Sequence, residues 1–564
     1  MICHHWPQSV VLVSIAALLL SCAPPLTPAL SPGAAEAPQA RRGGVARIAL
    51  WQEPLILNPL LGTQTVNALV SRTILDGLLE NLPDGSYVPK LAAEVPSLEN
   101  GGVSSDGLTV TWKLRGGVVW SDRQPFTSRD VAFTYNVIMN TANPITSRTG
   151  YPDIESVSTP DDTTALVRYR TLYAGFKSHF NWVLPEHVFG ADTAIDEKNF
   201  NQAPLGTGPF VFKSWAPGDA IAVERNPHYR EPGKPHLDGL VFRIVPARDV
   251  AILWLKTGDI DVLWSLVESN LPEVEAIPDV IVNPAPSTRV ERLILNTSCP
   301  SGPRQGDPGC PHPVLGDIRV RQAIELAIDK KSIVDELLYG RASVATSVLP
   351  VGPYAAALSP SAYDPVRASQ LLEQAGWRAG PDSIRMKDGV RASLTYSTTT
   401  GDSLRDQTQQ LVQAQLRGAG IELKVENFPS PILLGGWQDN APRARGNFDI
   451  VMYTSSIASE PQAALYNNFH SSAVPTERTR SGQNYHRIVD PELDRALEVA
   501  GSTVDEAARR GAYKTALERV DAGKGHIVLY SRLDLDAFKT HVKGHAPNIW
   551  SNFTWNAAEW SIEK

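Results

Sequence analysis

Long apolar runs are scarce in this 564-residue chain. The clearest run, residues 10–20, is too short to span a bilayer, because a spanning helix requires about 20 apolar residues. Its length is typical of a signal-peptide core, although the preceding MICHHWPQS contains no Lys or Arg. No later segment is long and apolar enough to cross a membrane, so the sequence predicts a soluble body behind a leader peptide.

A basic excess is also missing, since 52 Lys and Arg stand against 60 Asp and Glu and give a formal net charge of -8. Nucleic-acid-binding proteins carry basic surfaces, so this balance argues against a nucleic-acid partner. The Gly-x-Ser-x-Gly elbow, the His-Glu-x-x-His zinc helix and the Gly-Lys-Ser phosphate loop are all absent. We therefore predict no catalytic residue, no cofactor and no bound metal.

Cysteine is scarce as well, with four residues in the whole chain. The LLSC stretch that ends at Cys22 resembles the lipobox of bacterial lipoproteins. That resemblance implies cleavage before Cys22 and lipidation of its sulfur and its new amino group. Residues 1–21 are then a signal peptide, and residues 22–44, rich in Pro and Ala, form a flexible tether. An ordinary or uncleaved signal peptide, with no lipid on Cys22, is the alternative.

The two remaining cysteines, Cys299 and Cys310, lie close together in CPSGPRQGDPGC. An exported protein meets oxidising conditions, which favour a disulfide between them. A metal site is the alternative, but two cysteines with only His312 nearby make a poor ligand set. We therefore predict a Cys299–Cys310 disulfide.

The body mixes strand and helix patterns. Alternation of apolar and polar residues predicts strands over 107–115 and 220–224. An apolar stripe predicts one long helix over 317–340, and Asp364-Pro365 supplies the N-cap and first residue of another. Because strands and helices alternate, we expect an α/β protein, and about 520 residues exceed what one core usually supports.

Five blocks follow one another along the chain and together resemble a known family. They are PLILNPLL with ILDGLLENLPDGSYVPKLAAEVP, SDGLTVTWKLRGGVVWSDRQPFTSRDVAFTYN, GTGPFVFKSWAPGDAIAVERNPHYR with GDIDV, DIRVRQAIELAIDKKSI, and YDPVRASQLLEQAGW. In this order they resemble the large solute-binding proteins of ABC importers, the class that includes dipeptide, oligopeptide and nickel binders. Two departures stand out: Arg123 replaces the family's usual Gly, and HIVLY lacks the usual Pro.

The resemblance implies a periplasmic-binding-protein-like α/β fold of the large peptide-binding class. Two lobes would be joined by crossover strands, and the ligand would be buried between them as in a Venus flytrap. The implied boundaries are 45–288 for lobe I with an extra subdomain at about 83–204, 289–527 for lobe II, and 528–564 for a return to lobe I. The expected crossovers are residues 289–297 and 526–538.

In the peptide-binding members, an Asp near an acid-Pro pair holds the free amino group of the peptide. Here Glu460-Pro461 matches the pair, and Ile457 occupies the position of the Asp. An aliphatic side chain cannot neutralise an ammonium group, which disfavours a free peptide amino terminus. Glu460 is the substitute acid, or it closes a turn. The hydroxyls of Tyr453, Thr454, Ser455 and Ser456 suit a neutral polar solute such as a sugar, or form a plain Ser-rich loop.

Other candidate ligand contacts follow from their places in the family's pattern. The alternative for the polar ones is a solvated loop, and for the aromatic ones packing in a core. These candidates are Gln64, Thr65, Asn67, Trp264, Ser265, Tyr396, Phe428, Trp437 and Tyr485.

The sequence thus predicts a lipid-anchored extracytoplasmic receptor that binds a peptide, an oligosaccharide or a similar polar organic solute and delivers it to an ABC importer. Its partners would be the solute, the importer's permease subunits and the membrane that holds the lipid, and we expect a monomer. An exported hydrolase acting on oligosaccharide or peptide is the alternative. A third possibility is a sensor or chaperone-like use of the same cleft without an importer.

Overall fold

The computed structural model describes residues 42–62, 64–195, 199–245, 247–437 and 439–563. The predicted signal peptide, Cys22 and nearly all of the tether lie outside these residues. By their contacts, the described residues all belong to one unit. In the part of the chain that the structure describes, no helix has both the length and the apolar character required to cross a bilayer.

Among the described residues, eleven strands belong to one large mixed sheet, and the other ten form four small sheets. The described strands are β1 (Val45–Leu50), β2 (Leu79–Asn81), β3 (Tyr87–Pro89), β4 (Thr109–Lys113), β5 (Ile154–Asp161), β6 (Thr164–Tyr169), β7 (Phe210–Ala216), β8 (Ala220–Arg225), β9 (Gly239–Ile244), β10 (Val262–Leu263), β11 (Val280–Leu295), β12 (Ala342–Val344), β13 (Arg378–Ala379), β14 (Arg385–Lys387), β15 (Val390–Arg391), β16 (Ser393–Ser397), β17 (Glu422–Val425), β18 (Ile450–Ser455), β19 (His526–Lys539), β20 (Val542–Lys543) and β21 (Ser561–Ile562).

Helices are distributed along the whole described chain. They are α1 (Thr65–Ile74), α2 (Ser128–Met139), α3 (Glu186–Phe189), α4 (Arg248–Thr257), α5 (Leu271–Glu275), α6 (Ile318–Leu326), α7 (Lys330–Leu337), α8 (Pro365–Gln374), α9 (Ser403–Gly418), α10 (Ser430–Leu433), α11 (Pro442–Arg445), α12 (Gln462–Phe469), α13 (Pro491–Gly501) and α14 (Glu506–Gly523). Short 3-10 helices occupy Tyr151–Asp153, Phe176–Ser178, Asn199–Asn201, Glu268–Asn270, Ser471–Ala473 and Ala557–Glu559.

The large sheet has the order β17-β16-β18-β11-β19-β10-β1-β9-β8-β7, and β12 also pairs with β19. At one end β16 runs parallel to β17 and β18, and near the other end β1 runs parallel to β9 and β10. Between them, β11 and β19 form a long antiparallel pair, here called the crossover pair. Its register shifts between Pro286 and Val290, so the pair is irregular at its middle.

The crossover pair connects two separate sets of apolar cores, which are the two lobes of this α/β fold. One set draws its buried residues from the first 277 residues and from the chain after residue 534. The other set lies between residues 290 and 530. In the first lobe, two small sheets (β2-β3 and β4-β6-β5) pack with α2 outside the large sheet.

The long helix predicted over 317–340 is divided into α6 and α7. The side chain of Asp329 accepts a hydrogen bond from the Ser332 amide at 3.0 Å and caps the second helix. An Asp that binds the backbone competes with continuation of a helix, so the chain starts a new one there. The strand and cap predictions are confirmed by β4, by β8 and by Asp364, which caps α8 with Pro365 as its first residue.

The loop before α6 is closed by a covalent link. The sulfur atoms of Cys299 and Cys310 are joined as a disulfide, with Cα atoms 5.4 Å apart. The Cys299 amide also donates a hydrogen bond to the Cys310 carbonyl at 2.7 Å. Within the described ranges, no group of three or more His, Cys, Asp and Glu side chains is arranged to hold a metal ion.

Candidate functional site

A cavity of about 340 Å³ lies on the middle of the crossover pair. We call it the crossover cavity. Its wall combines the chain after β1 (Trp51), the segment after β10 (Trp264 and Ser265), the crossover strands (Arg289 and Asp534 among others) and the C-terminal stretch 545–553. A concave space of this size, lined by aromatic groups and a few convergent polar groups, is typical of small-molecule sites.

Two carboxylates of β19 reach the crossover cavity. Because side chains alternate along a strand, Asp534 and Asp536 share one face, while Leu535 and Ala537 pack into an apolar cluster on the other. Arg289 of β11 donates to Asp534 at 2.6 Å. The Ser265 amide donates to Asp536 Oδ1 at 2.9 Å.

Burial dominates the electrostatics of this pair of acids. Desolvation raises the pKa of Asp534, although Arg289 opposes the shift. Desolvation raises the pKa of Asp536 to about 7, and the neighbouring Asp534 adds to the rise. Asp536 is 7% exposed, so its charge is poorly hydrated. The cavity therefore contains a carboxyl group that changes charge near neutral pH.

Aromatic groups form a second part of the wall. Trp51 and Trp264 stack with ring centroids 5.8 Å apart and planes 17° from parallel. The centroid of the His545 ring lies 4.0 Å from that of Phe538 and 4.9 Å from that of Phe553. Burial lowers the pKa of His545 to about 3, so its imidazole is neutral at physiological pH. Neither nitrogen of the His545 imidazole has a hydrogen-bond partner among the described residues, so both are able to bond to a ligand.

A second cavity of about 440 Å³, the rim cavity, is lined by residues of both lobes. Tyr87 and Lys177 come from the first lobe, and Tyr354, Glu460 and Glu506 come from the second. Lys177 forms an ion pair with Glu506 at 2.7 Å, and the Tyr354 hydroxyl donates to the same carboxylate at 2.9 Å. The Lys177–Glu506 ion pair therefore joins the two lobes away from the crossover pair.

The structure brings together three of the residues predicted from sequence, since Thr65, Trp264 and Ser265 all line the crossover cavity. Glu460 lies in the rim cavity instead. Its carboxylate forms an ion pair with the buried Arg509 at 2.8 Å, so its charge is already compensated.

Two first-lobe candidates form hydrogen bonds with the backbone of nearby residues. Gln64 accepts a hydrogen bond from the Leu55 amide at 2.7 Å and donates to a backbone carbonyl. Asn67 is 1% exposed and donates to the carbonyl of Ile56. Both side chains therefore have hydrogen-bond partners within their own segment, and neither lines the crossover cavity.

Most second-lobe candidates lie in or beside apolar clusters. Tyr396 is fully buried and Ile457 is 4% exposed, each within a cluster. Tyr453 and Tyr485 share another cluster, with the Arg443 guanidinium 5.0 Å and 4.7 Å from their rings.

Five more candidates lie in the second lobe, each in its own environment. Thr454 donates to Glu291 and accepts from Arg405, Phe428 is half-buried at the cluster's edge, Trp437 carries the Arg445 guanidinium 4.2 Å above its ring, Ser455 is half-buried and Ser456 is exposed.

Sequence reasoning missed Trp51, Arg289, Asp534, Asp536 and His545. The LDLDAF stretch of β19 carries a usable signal, because acids at alternate positions of a strand share one face. The others are single residues on separate segments, and only the folded chain brings them together.

Comparisons with known proteins agree with this architecture. Residues 86–476 match the model of the bacterial extracellular solute-binding proteins, family 5. Protein XP55 of Streptomyces lividans is 29% identical, with 92% of this chain and 88% of that protein covered. The oligopeptide-binding protein AppA of Bacillus subtilis is 26% identical, with 90% and 91% covered.

Solved structures include a similar one, NikZ from Campylobacter jejuni in complex with Ni(L-His). It has a TM-score of 0.71 and 25% identity, and covers 92% of this chain and 99% of its own. Members of the family are binding proteins of ABC transporters rather than enzymes. The chain belongs to the bacterial extracellular solute-binding proteins of family 5, which serve ABC importers.

Proposed function

We propose that this protein is a lipid-anchored receptor outside the cytoplasm that captures a peptide, an oligosaccharide or a similar polar organic solute between its lobes. It passes the solute unchanged to the permease subunits of an ABC importer. Its domains would be the lobes at 45–288 and 289–527, with 528–564 returning to the first lobe. The tether from Cys22 would keep a monomeric receptor close to the importer, which raises its effective concentration there.

The crossover cavity is the observation that carries this proposal. It lies on the two strands that connect separately cored lobes, and its wall holds buried polar atoms without partners among the described residues. The wall of this cavity comes from the first lobe and the crossover strands, so a solute resting there that the second lobe also contacts on closure would bind the closed state better than the open one. A change from mostly open to mostly closed needs about 5.5 kcal/mol of preference.

The test begins with the protein purified under native conditions. Small molecules released by denaturation are identified by mass spectrometry and added back to the refolded protein. We expect one of them to raise the melting temperature, to make the molecule more compact in small-angle scattering and to be recovered unchanged. Steady conversion of that compound into products would favour the hydrolase and contradict the proposal.

The anchor and the delivery role need separate measurements. A Cys22→Ser variant should move the protein from the membrane fraction to the soluble fraction, whereas a Cys3→Ser control should remain in the membrane fraction. Deletion of the gene should abolish uptake of the identified solute, and the unmodified gene should restore it. Uptake that continues without the protein would contradict the delivery role.

A further inference from the structure

Asp536 is the one acid of the crossover cavity without a charged partner at hydrogen-bond distance in the described part of the chain. Its Oδ1 accepts the Ser265 amide at 2.9 Å, and no hydrogen bond from the described residues reaches Oδ2. A buried carboxylate normally has several donors or a cation beside it, since an unpaired buried charge is costly. Oδ2 of Asp536 can therefore accept a hydrogen bond from a donor on a ligand.

The surrounding groups do not supply that donor. Arg289, on the facing strand β11, is engaged by Asp534 at 2.6 Å, so these two charges compensate each other. The imidazole of His545, on the C-terminal stretch, is neutral at physiological pH. The segments that carry Trp51 and Thr65 contribute no charged side chain to the cavity wall. Ionised Asp536 thus leaves the cavity with one net negative charge.

The aromatic wall defines which kind of cation fits. Trp51 and Trp264 are stacked on each other beside this carboxyl group, and Trp51 remains 38% exposed. The faces of tryptophan rings attract organic ammonium groups, and they also tolerate the carbon atoms attached to the nitrogen. A carboxylate supplies the charge-assisted contact that orients such a group.

We propose that the crossover cavity recognises a solute that carries an organic ammonium group, with Asp536 as its anionic partner and the Trp51–Trp264 pair as its wall. This inference rests on the proposed function and names the class of solute. It moves the acid that meets the ammonium from the loop of Ile457, where the chain has an aliphatic residue, to the crossover strand β19.

A consequence is competition between the cation and a proton. Burial and Asp534 hold the pKa of Asp536 at about 7, and Arg289 acts against them. Below that pH the free protein carries a protonated Asp536, which must ionise before a cation binds. The affinity for a permanently charged ligand should therefore fall about tenfold for each pH unit below 7 and should level off above 8.

The experiment uses the mature protein, freed of bound solute, and matched pairs of probes in isothermal titration calorimetry. Choline is compared with 3,3-dimethylbutan-1-ol, which has the same shape without the charge, and trialanine is compared with N-acetyltrialanine. We expect at least one charged probe to bind about tenfold or more tightly than its neutral partner. Equal affinities in both pairs, or no binding of any probe, would overturn the inference.

Variants locate the effect. Asp536→Asn keeps the size of the side chain and an acceptor for the Ser265 amide, and it should weaken the charged probe about tenfold or more and flatten its pH profile. Asp388→Asn, the same change at an exposed site of the second lobe, should leave both unchanged. An unaltered affinity and pH profile in Asp536→Asn would refute the role of this residue.

The ammonium inference and the receptor proposal can fail separately, and the experiments distinguish the two failures. If the solute identified by mass spectrometry lacks an ammonium group yet closes the lobes and is recovered unchanged, the receptor proposal stands and the inference is wrong. If a charged probe binds and is chemically converted, the inference stands and the receptor proposal is wrong.

Discussion

Replacing Asp536 by Asn should stabilise the protein, and by an amount that depends on pH. The group's ordinary pKa is 3.8, and burial raises it to about 7 in the folded protein. A raised carboxyl pKa means that the folded state binds the proton more tightly than the unfolded state. Its stabilising contribution is fully present below the unfolded pKa and is lost as pH rises through the folded pKa.

The size of the effect follows from this shift of about three units. Each unit corresponds to about 1.4 kcal/mol, so the ionised carboxylate costs about 4 kcal/mol at pH 8 relative to its protonated form. The amide of Asn has no proton to lose and avoids this cost. With about 2.1 cal/mol/K per residue over about 520 residues, 4 kcal/mol corresponds to about 4 °C in melting temperature.

The assay is scanning calorimetry of the wild type and of Asp536→Asn between pH 4 and pH 8, without added solute. The variant should melt within about 1 °C of the wild type at pH 4 and about 4 °C above it at pH 8. Asp388→Asn serves as the control and should follow the wild type throughout. Parallel curves for wild type and Asp536→Asn would refute the reasoning, because they would mean that folding does not strain this carboxyl group.

The remaining predictions concern the second lobe. Arg509→Met should lower the melting temperature by about 3–5 °C because it leaves Glu460 uncompensated, whereas Arg510→Met at the exposed neighbouring position should change it by less than about 1 °C. Adding Glu460→Gln to Arg509→Met should recover part of the loss in the same melts, and no recovery would argue against an ion-pair effect. Replacing both Cys299 and Cys310 by Ser should lower the melting temperature by about 3 °C, and dithiothreitol should lower that of the wild type equally without affecting the variant.

Much of the secondary structure could be predicted from the sequence because its signals are local. The alternation in β4 and the Asp364-Pro365 start of α8 each depend on a few adjacent residues. The division of the 317–340 segment into two helices was missed, since the apolar stripe continues across it. Asp329 decides the outcome through one side-chain hydrogen bond, and a pattern of apolar residues does not report that bond.

The candidate site was less predictable for a different physical reason. Trp264 and Ser265 follow a recognisable strand motif, and both line the crossover cavity. Trp51 and His545 lie almost 500 positions apart in the chain, and only the paired strands bring their segments to one cavity. Glu460 illustrates the opposite case, because its sequence context points to a ligand while its actual partner is Arg509.

The position of Asp536 on a strand shared by both lobes has a mechanical consequence. A group near the pivot of two arms moves little when the arms separate, so a solute resting there would keep this contact in the open molecule. Contacts between the lobes away from the crossover pair, such as the ion pair of Lys177 with Glu506, would form only when the lobes meet. The crossover pair would therefore govern which solute is selected, and contacts between the lobes such as Lys177 with Glu506 would govern how long the solute is retained.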